Sequence, residues 1–381
     1  MVLLSRPGLR ATAVLASAVA ALAALPPGFA AAHPKASSDA PTVVARGLDN
    51  PRQVSWSGGA LYVAEAGVGG TGPCITSPEG GNACLGASGA ITQVRAGRQR
   101  RVVTGLPSVA VAGGTNAVGP TDVLVRGKRF TVSLGLGANP DVRAPLPAAG
   151  RKLATVATGR LGRPGLHVVA DVGRYEARVN PDGQQIDTNP VALLQRGRRT
   201  FVVDAGGNSL LQLKGYGRLR TAAVFPATQV AAPPPLGLPP GAEIPMDAVP
   251  TAAAYGPDGA LYVSQLTGFP FPVGGASIWR VVPGSAPVPW ATGLTMVTDL
   301  AFGRDGSLYA VQLADEGLLA PAPSGSVVRI PAGGGAVHQT IADNLNFPYG
   351  IAVRGGAAYV TTCSTCPDQG ELLRVPLVRR S

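Results

Sequence analysis

Charge is scarce in this chain. Asp, Glu, Lys and Arg make up 14% of 381 residues, against 45% hydrophobic residues. With slightly positive mean hydropathy, that balance excludes a solvated, self-repelling coil. Histidine is rarer still: His33, His167 and His338 are the whole complement, so acid–base chemistry near neutral pH would fall on carboxylates. No G-x-S-x-G elbow, H-E-x-x-H helix or G-x-x-x-x-G-K-[ST] phosphate loop occurs. Aromatic residues amount to 5% and do not interleave the arginine clusters Gly97–Arg101, Arg196–Arg199 and Gly217–Arg220. A base-stacking nucleic-acid surface is thereby excluded; the arginines read as a solvated rim, or as affinity for anionic wall polymer or lipid.

Long apolar runs are missing beyond the N-terminus. There, Arg6 and Arg10 precede the small and apolar stretch Ala11–Leu25, followed by Pro26-Pro27-Gly28 and Ala30-Ala31-Ala32. The pattern predicts a secretory signal over residues 1–32, a flexible mature N-terminus over 33–41 and one domain over 42–381. The apolar run is shorter than the ~20 residues of a spanning helix, so no stable membrane insertion is expected. Without residues 1–32 the formal charge falls from +11 to about +9.

Glycine and proline are abundant, 52 and 36 residues, which excludes a helical bundle and predicts many short buried segments joined by turns. The segments repeat. Pro51, Pro120, Pro190, Pro250 and Pro348 precede Tyr62, Phe130, Phe201, Tyr262 and Tyr359 by similar gaps, and Val297 precedes Tyr309. After each aromatic comes a second shared segment: ITQV (91–94), LATV (153–156), LLQL (210–213), IWRV (278–281), VVRI (327–330) and LLRV (372–375). Further strand-like pieces follow, such as VVTGL (102–106) and TIADNL (340–345). The sixth copy lacks this piece, and VVARGL (43–48) supplies it from the other end of the chain.

Four short strands per repeat, punctuated by turns such as GPDG (256–259), predict an all-β, six-bladed propeller with four antiparallel strands per blade. The N-terminal strand would join the last blade and close the ring. Stacked sandwiches or a barrel would not place an orphan strand motif at the opposite terminus.

In such a ring, turns from first to second strand share a face with those from third to fourth. The first set is minimal, as in Ser57-Gly58-Gly59 and Gly355-Gly356. Loops from second to third strand lie on the other face and are long: 66–89, 135–151, 266–276, 313–325 and 363–370. The connections 107–119 and 227–249 join them. Long loops gathered on one face point to recognition.

Three residues past each repeated aromatic stand Glu65, Ser133, Asp204, Gln265, Gln312 and Thr362. Beside them, at the start of first strands, are Arg52, Gln53, Thr121, Asp122, Thr298 and Asp299. This register makes Glu65, Asp122, Ser133, Asp204, Gln265, Asp299, Gln312 and Thr362 binding candidates at the channel mouth; the alternative is that they hydrogen-bond the next blade's backbone. Glu65, Asp122, Asp204 and Asp299 would together suit calcium, which takes carboxylate and carbonyl oxygens. No other cofactor is expected.

An even cysteine count in an exported chain implies disulfides. Cys74 and Cys84 bracket part of the longest loop, Cys363 and Cys366 form a C-x-x-C, and three pairings are open. No helix start follows to activate a redox thiol.

The stretches LDNPRQVSWSGGALYVAEAG (48–67), GPCITSPEGGNACLGASGAITQV (72–94), YEARVNPDG (175–183) and DTNP (187–190) through VVDAGGNSLLQL (202–213) resemble the ScyD/ScyE family of exported bacterial propeller proteins, similar to NHL-repeat domains. The resemblance covers essentially the whole mature chain and is most specific in the Cys-bracketed loop and DAGGN. It implies the same six-bladed fold and exported location, and brings no catalytic residue. The combined expectation is a secreted, monomeric binding or scaffold protein that recognises a small molecule, cell-wall polymer or secreted protein on its long-loop face. The alternative is a metal-assisted lactonase- or lyase-like enzyme using channel-mouth carboxylates.

Overall fold

Runs such as ALYVAE (Ala60–Glu65) are buried at every position, which a strand achieves only when both faces of its sheet are covered. In the computed structural model, which describes residues 40–76, 81–282 and 284–377, that cover comes from neighbouring sheets. The proposed signal segment lies outside the described residues.

Six antiparallel sheets form the blades, each built on four strands, with a short fifth strand added in blade one. Blade one holds Pro51–Ser57, Ala60–Glu65, Asn82–Arg95 and Arg98–Ala110. Blade two holds Pro120–Arg126, Arg129–Leu134, Thr155–Arg160 and His167–Asp171, and blade three Pro190–Arg196, Arg199–Asp204, Ser209–Leu213 and Leu219–Val224. Blade four runs through Pro250–Tyr255, Leu261–Gln265, Ala276–Val281 and Val288–Leu294; blade five through Val297–Phe302, Leu308–Gln312, Gly325–Ile330 and Gln339–Leu345. Blade six takes Ile351–Arg354, Ala357–Thr362 and Gly370–Pro376, and its outer strand is Thr42–Leu48, antiparallel to Gly370–Pro376. The first strands of adjacent blades meet around the ring, so they line its axis.

Tight hairpins make this possible. Gly58-Gly59 and Gly355-Gly356 both take positive φ at both residues, the geometry whose twist matches paired strands. The main apolar clusters lie between blades. Tyr62, Ile91 and Val123 join blades one and two, Val156 and Leu193 two and three, and Phe201, Leu261 and Trp279 three and four. Tyr262 and Leu300 join four and five, Tyr309 and Val360 five and six, and Leu48, Val63 and Leu372 close six onto one.

Three segments differ from the sequence expectation. Part of the 66–89 loop is sheet: Cys74–Thr76 pairs with the start of a long third strand, placing Cys74 opposite Cys84. The Pro-rich 227–249 connection contains the hairpin Thr228–Ala231 with Glu243–Met246. YEARV forms the end of a helix, Val172–Val179, capped by the Asp171 side chain on Arg174 N–H (2.9 Å) and stopped at Asn180 with φ 42°. Local capping chemistry, invisible to a strand-repeat pattern, sets that helix. Both disulfides are local, Cys74–Cys84 and Cys363–Cys366.

Leu48 is fully buried in the cluster that closes the ring. Leu48→Ala should lower unfolding free energy by about 3 kcal/mol in denaturant melts. Deletion of Thr42–Leu48 should convert a monomeric elution profile into aggregates by exposing the Gly370–Pro376 edge. Unchanged melting in either case would show that the closing strand is dispensable.

Candidate functional site

At the axis, polar side chains bind blades to one another. Asp122 accepts hydrogen bonds from the backbone N–H of Val123 (2.6 Å) and of Leu193 in the next blade (2.7 Å). Three blades on, Asp299 repeats the arrangement with Leu300 and Ile351 (both 2.7 Å). Thr121, Thr251 and Thr298 donate to the carbonyls of Pro190, Val297 and Tyr349 in their following blades. Gln53 Nε2 reaches across to the carbonyls of Thr298 (3.3 Å) and Thr251 (3.5 Å). A channel that one glutamine spans is closed at that level.

The remaining candidates are hydrogen-bonded within the protein or buried in the ladder. Glu65 is fully buried and accepts from Asp49 N–H (2.8 Å), Thr92 Oγ1 and Arg101, whose Nη2 lies 2.6 Å away. Gln265 Oε1 accepts from Trp279 Nε1 (3.0 Å) and Ser277 N–H (3.2 Å). Gln312 is held by Thr295 N–H, Asp315 and Ser326. Thr362 is buried opposite Glu371 in the ladder. Ser133 bonds Thr121 Oγ1 (2.7 Å).

Strand pairing also corrects one register. Val63, Val132, Val202, Val263, Ala310 and Val360 occupy equivalent positions. Leu134, not Ser133, therefore stands level with Glu65. Phe130 is one residue early in the aromatic column and packs in the cluster shared with blade one. A one-residue slip reverses the face of every side chain.

Glu65, Asp122, Asp204 and Asp299 do not converge: among the described residues no three His, Cys, Asp or Glu side chains are grouped to hold a metal. Asp204 instead belongs to a separate acidic pocket on the long-loop face. It accepts from Thr188 Oγ1 (2.8 Å) and Asn189 N–H (2.6 Å). Glu176, on the helix, is 1% exposed, and neither carboxylate oxygen has a hydrogen-bond partner. Asp187 and Asp182 complete the surroundings. Burial and then the neighbouring carboxylates push Glu176 up to about 8. Burial, with Asp204 the leading neighbour, raises Asp187 to about 6. Burial, partly offset by the amide hydrogen bonds, lifts Asp204 and Asp122 to about 6, and Asp299 well above the ordinary range. Sequence register missed Glu176 because it lies outside the strand repeat; the segments YEARVNPDG, DTNP and DAGGN that carry the family resemblance were the available signal.

The faces differ in charge. Turns of the short-turn face expose Arg126, Arg129, Arg196, Arg199, Arg304 and Arg354. A cleft of about 900 Å³ between blades five and six there is lined by Arg304, Arg329, Arg354, Tyr309 and Ile341. His167 is exposed on the outer strand of blade two and His338 is half-buried just before that of blade five, both away from the axis. No helix among the described residues is long and apolar enough to cross a membrane, and the two disulfides are consistent with an extracellular protein.

Comparison with protein-family models finds no match, and comparison with proteins of curated function finds none. Solved structures share the fold. An oxidoreductase described as a glucose dehydrogenase, from Thermus thermophilus, aligns with TM-score 0.54 and 16% identity over 88% of this chain and 99% of that one. A structural-genomics protein of unknown function from Bacteroides thetaiotaomicron aligns with TM-score 0.50 and 9% identity over 89% and 72%. A streptogramin B lyase gives TM-score 0.45 and 12% identity over 88% and 96%. At these identities the likeness extends to the fold alone: the chain is a six-bladed β-propeller.

The raised carboxylates have a stability consequence. Each binds its proton more tightly folded than unfolded, so its stabilising contribution is complete below about pH 4 and is lost as pH rises through about 6 for Asp122, Asp187 and Asp204, and about 8 for Glu176. In EDTA, denaturant unfolding should show stability declining from pH 4 to 8, by about 3 kcal/mol for a group shifted as far as Asp122. Asp122→Asn should flatten the part of that decline below pH 6. A profile that rises over this range would refute the assignment.

Proposed function

We propose that this protein is an exported binding or scaffold protein that recognises its ligand with the long-loop face. The observation that carries this is the state of the loops of blades four and five, whose tips present Phe269, Val273 and Leu319 at 41%, 67% and 62% exposure. Beneath them Met296, Leu313, Ala314 and Tyr349 form a buried base against which Phe271 and Leu318 pack. Ordered loops with apolar tips suit contact with a partner. The resemblance to the exported ScyD/ScyE propellers supports the same location, and the basic short-turn face would favour an anionic envelope polymer on the opposite side. A monomer that binds a small molecule, wall polymer or secreted protein fits these surfaces.

Metal-assisted lactonase or lyase chemistry would need free carboxylates at the channel mouth. Asp122 and Asp299 each already accept two backbone amides, which favours recognition over catalysis.

The test is binding of the mature protein to fractionated cell envelope and secreted proteins, with lactone turnover assayed in parallel. Combined Phe269→Ser, Val273→Ser and Leu319→Ser should weaken the captured interaction at least about tenfold, a loss of ~1.4 kcal/mol, without changing the melting temperature. Undiminished binding by this variant, or turnover by the wild type, would overturn the proposal.

A further inference from the structure

The acidic pocket of blade three holds oxygen atoms without partners. Both oxygens of Glu176 are buried and unbonded; along the chain on either side of the pocket, Asn180 Oδ1 and Ser209 Oγ are buried without partners as well. Asn180 caps the end of the helix that carries Glu176, its N–H bonding the Glu176 carbonyl (2.8 Å). Ser209 follows the turn that ends at Asn208.

Two glycines let the carboxylates approach the turn closely. Gly206 and Gly207 do not adopt positive φ, so backbone conformation does not require glycine at either position. A Cβ on Gly207 would lie 2.5 Å from Glu176 Oε2 and 3.3 Å from Asp204 Oδ2, and one on Gly206 would strike Asp187 Oδ1. Carboxylate oxygens of Glu176 and Asp187 occupy the places side chains would take, and the Gly207 contacts bring Glu176 Oε2 and Asp204 Oδ2 to the same point of the turn. Every charged neighbour acting on Glu176 is another carboxylate, Asp204, Asp182 or Asp187. A buried, unpaired carboxylate among like charges is costly unless a cation or proton joins it.

We propose that this pocket, between the helix Val172–Val179 and the turn 204–208, binds one calcium ion through the carboxylates of Glu176 and Asp204, with neutral protein and water oxygens completing the shell. No three acidic side chains among the described residues are grouped to hold a metal unaided, so amide, backbone and water oxygens must supply the balance. Calcium suits such a set, since it takes roughly six to eight oxygens in flexible geometry, whereas magnesium demands a tight octahedron. An ion there would tie the helix after blade two to the second-to-third turn of blade three, stiffening the long-loop face.

The experiment uses the mature protein stripped with EDTA and titrated with CaCl2 at pH 8, by calorimetry and by thermal melting. Wild type should bind one calcium with a saturable rise in melting temperature, and MgCl2 should give a smaller rise. Glu176→Gln should bind calcium at least about tenfold more weakly. In EDTA it should melt above wild type, because the substitution removes a buried unpaired charge; a merely structural role for Glu176 predicts the opposite. If Glu176→Gln does not fold, Asp204→Asn and the wild-type titration decide. Absence of saturable binding by wild type, or undiminished binding by both variants, would overturn the site. Either result stands apart from partner binding at Phe269, Val273 and Leu319.

Discussion

Everything in this molecule depends on burying two faces of each four-stranded sheet. A lone sheet of this size leaves one face wet, and the apolar residues here occupy both faces of the inner strands. Arranging the sheets radially gives each face a partner, and the ring is satisfied only when the last blade meets the first. Leu48 and Ala45, from the strand Thr42–Leu48, pack with Val54 and Leu61 of blade one in the cluster that completes this closure. Hydrophobic burial, being nondirectional, does not by itself fix how far each blade is rotated against the next. That is the role of Asp122, Asp299 and the axial threonines, whose hydrogen bonds cross from one first strand to its neighbour.

The use of axial polar groups as latches shapes where recognition can occur. A carboxylate that accepts two buried backbone amides is expensive to displace, because both amides would then lack partners. Surfaces free of that constraint are the loops. One face keeps minimal turns with exposed arginines; the other carries the disulfide-stapled hairpin, the helix, the 228–246 hairpin and the apolar tips of blades four and five. The same antiparallel alternation that builds the blades separates these two chemistries.

The acidic pocket shows a different use of polar burial. At the axis, each buried carboxylate meets amide donors, whereas Glu176 meets other carboxylates and the close backbone of Gly207. The proposed calcium ion would complete the bonding that the chain itself leaves open there.

Much of the fold was legible in sequence because short-range patterns specify it. Proline before each first strand but one, glycine pairs in hairpins and an orphan strand motif at the N-terminus determined six blades and their closure, and cysteine spacing admitted the local pairings that occur. Tertiary structure decided the rest. Bulges and single-residue slips, which sequence spacing does not reveal, put Leu134 level with Glu65 and turned Phe130 toward blade one. Polar residues in register looked alike in sequence, yet the fold put Asp122 at the axis against the next blade's backbone and Asp204 close to Glu176 at a loop turn. The meeting of Glu176 with Asp204, from a helix and a turn that belong to different blades, depends on how two sheets pack. No periodicity along the chain encodes that distance.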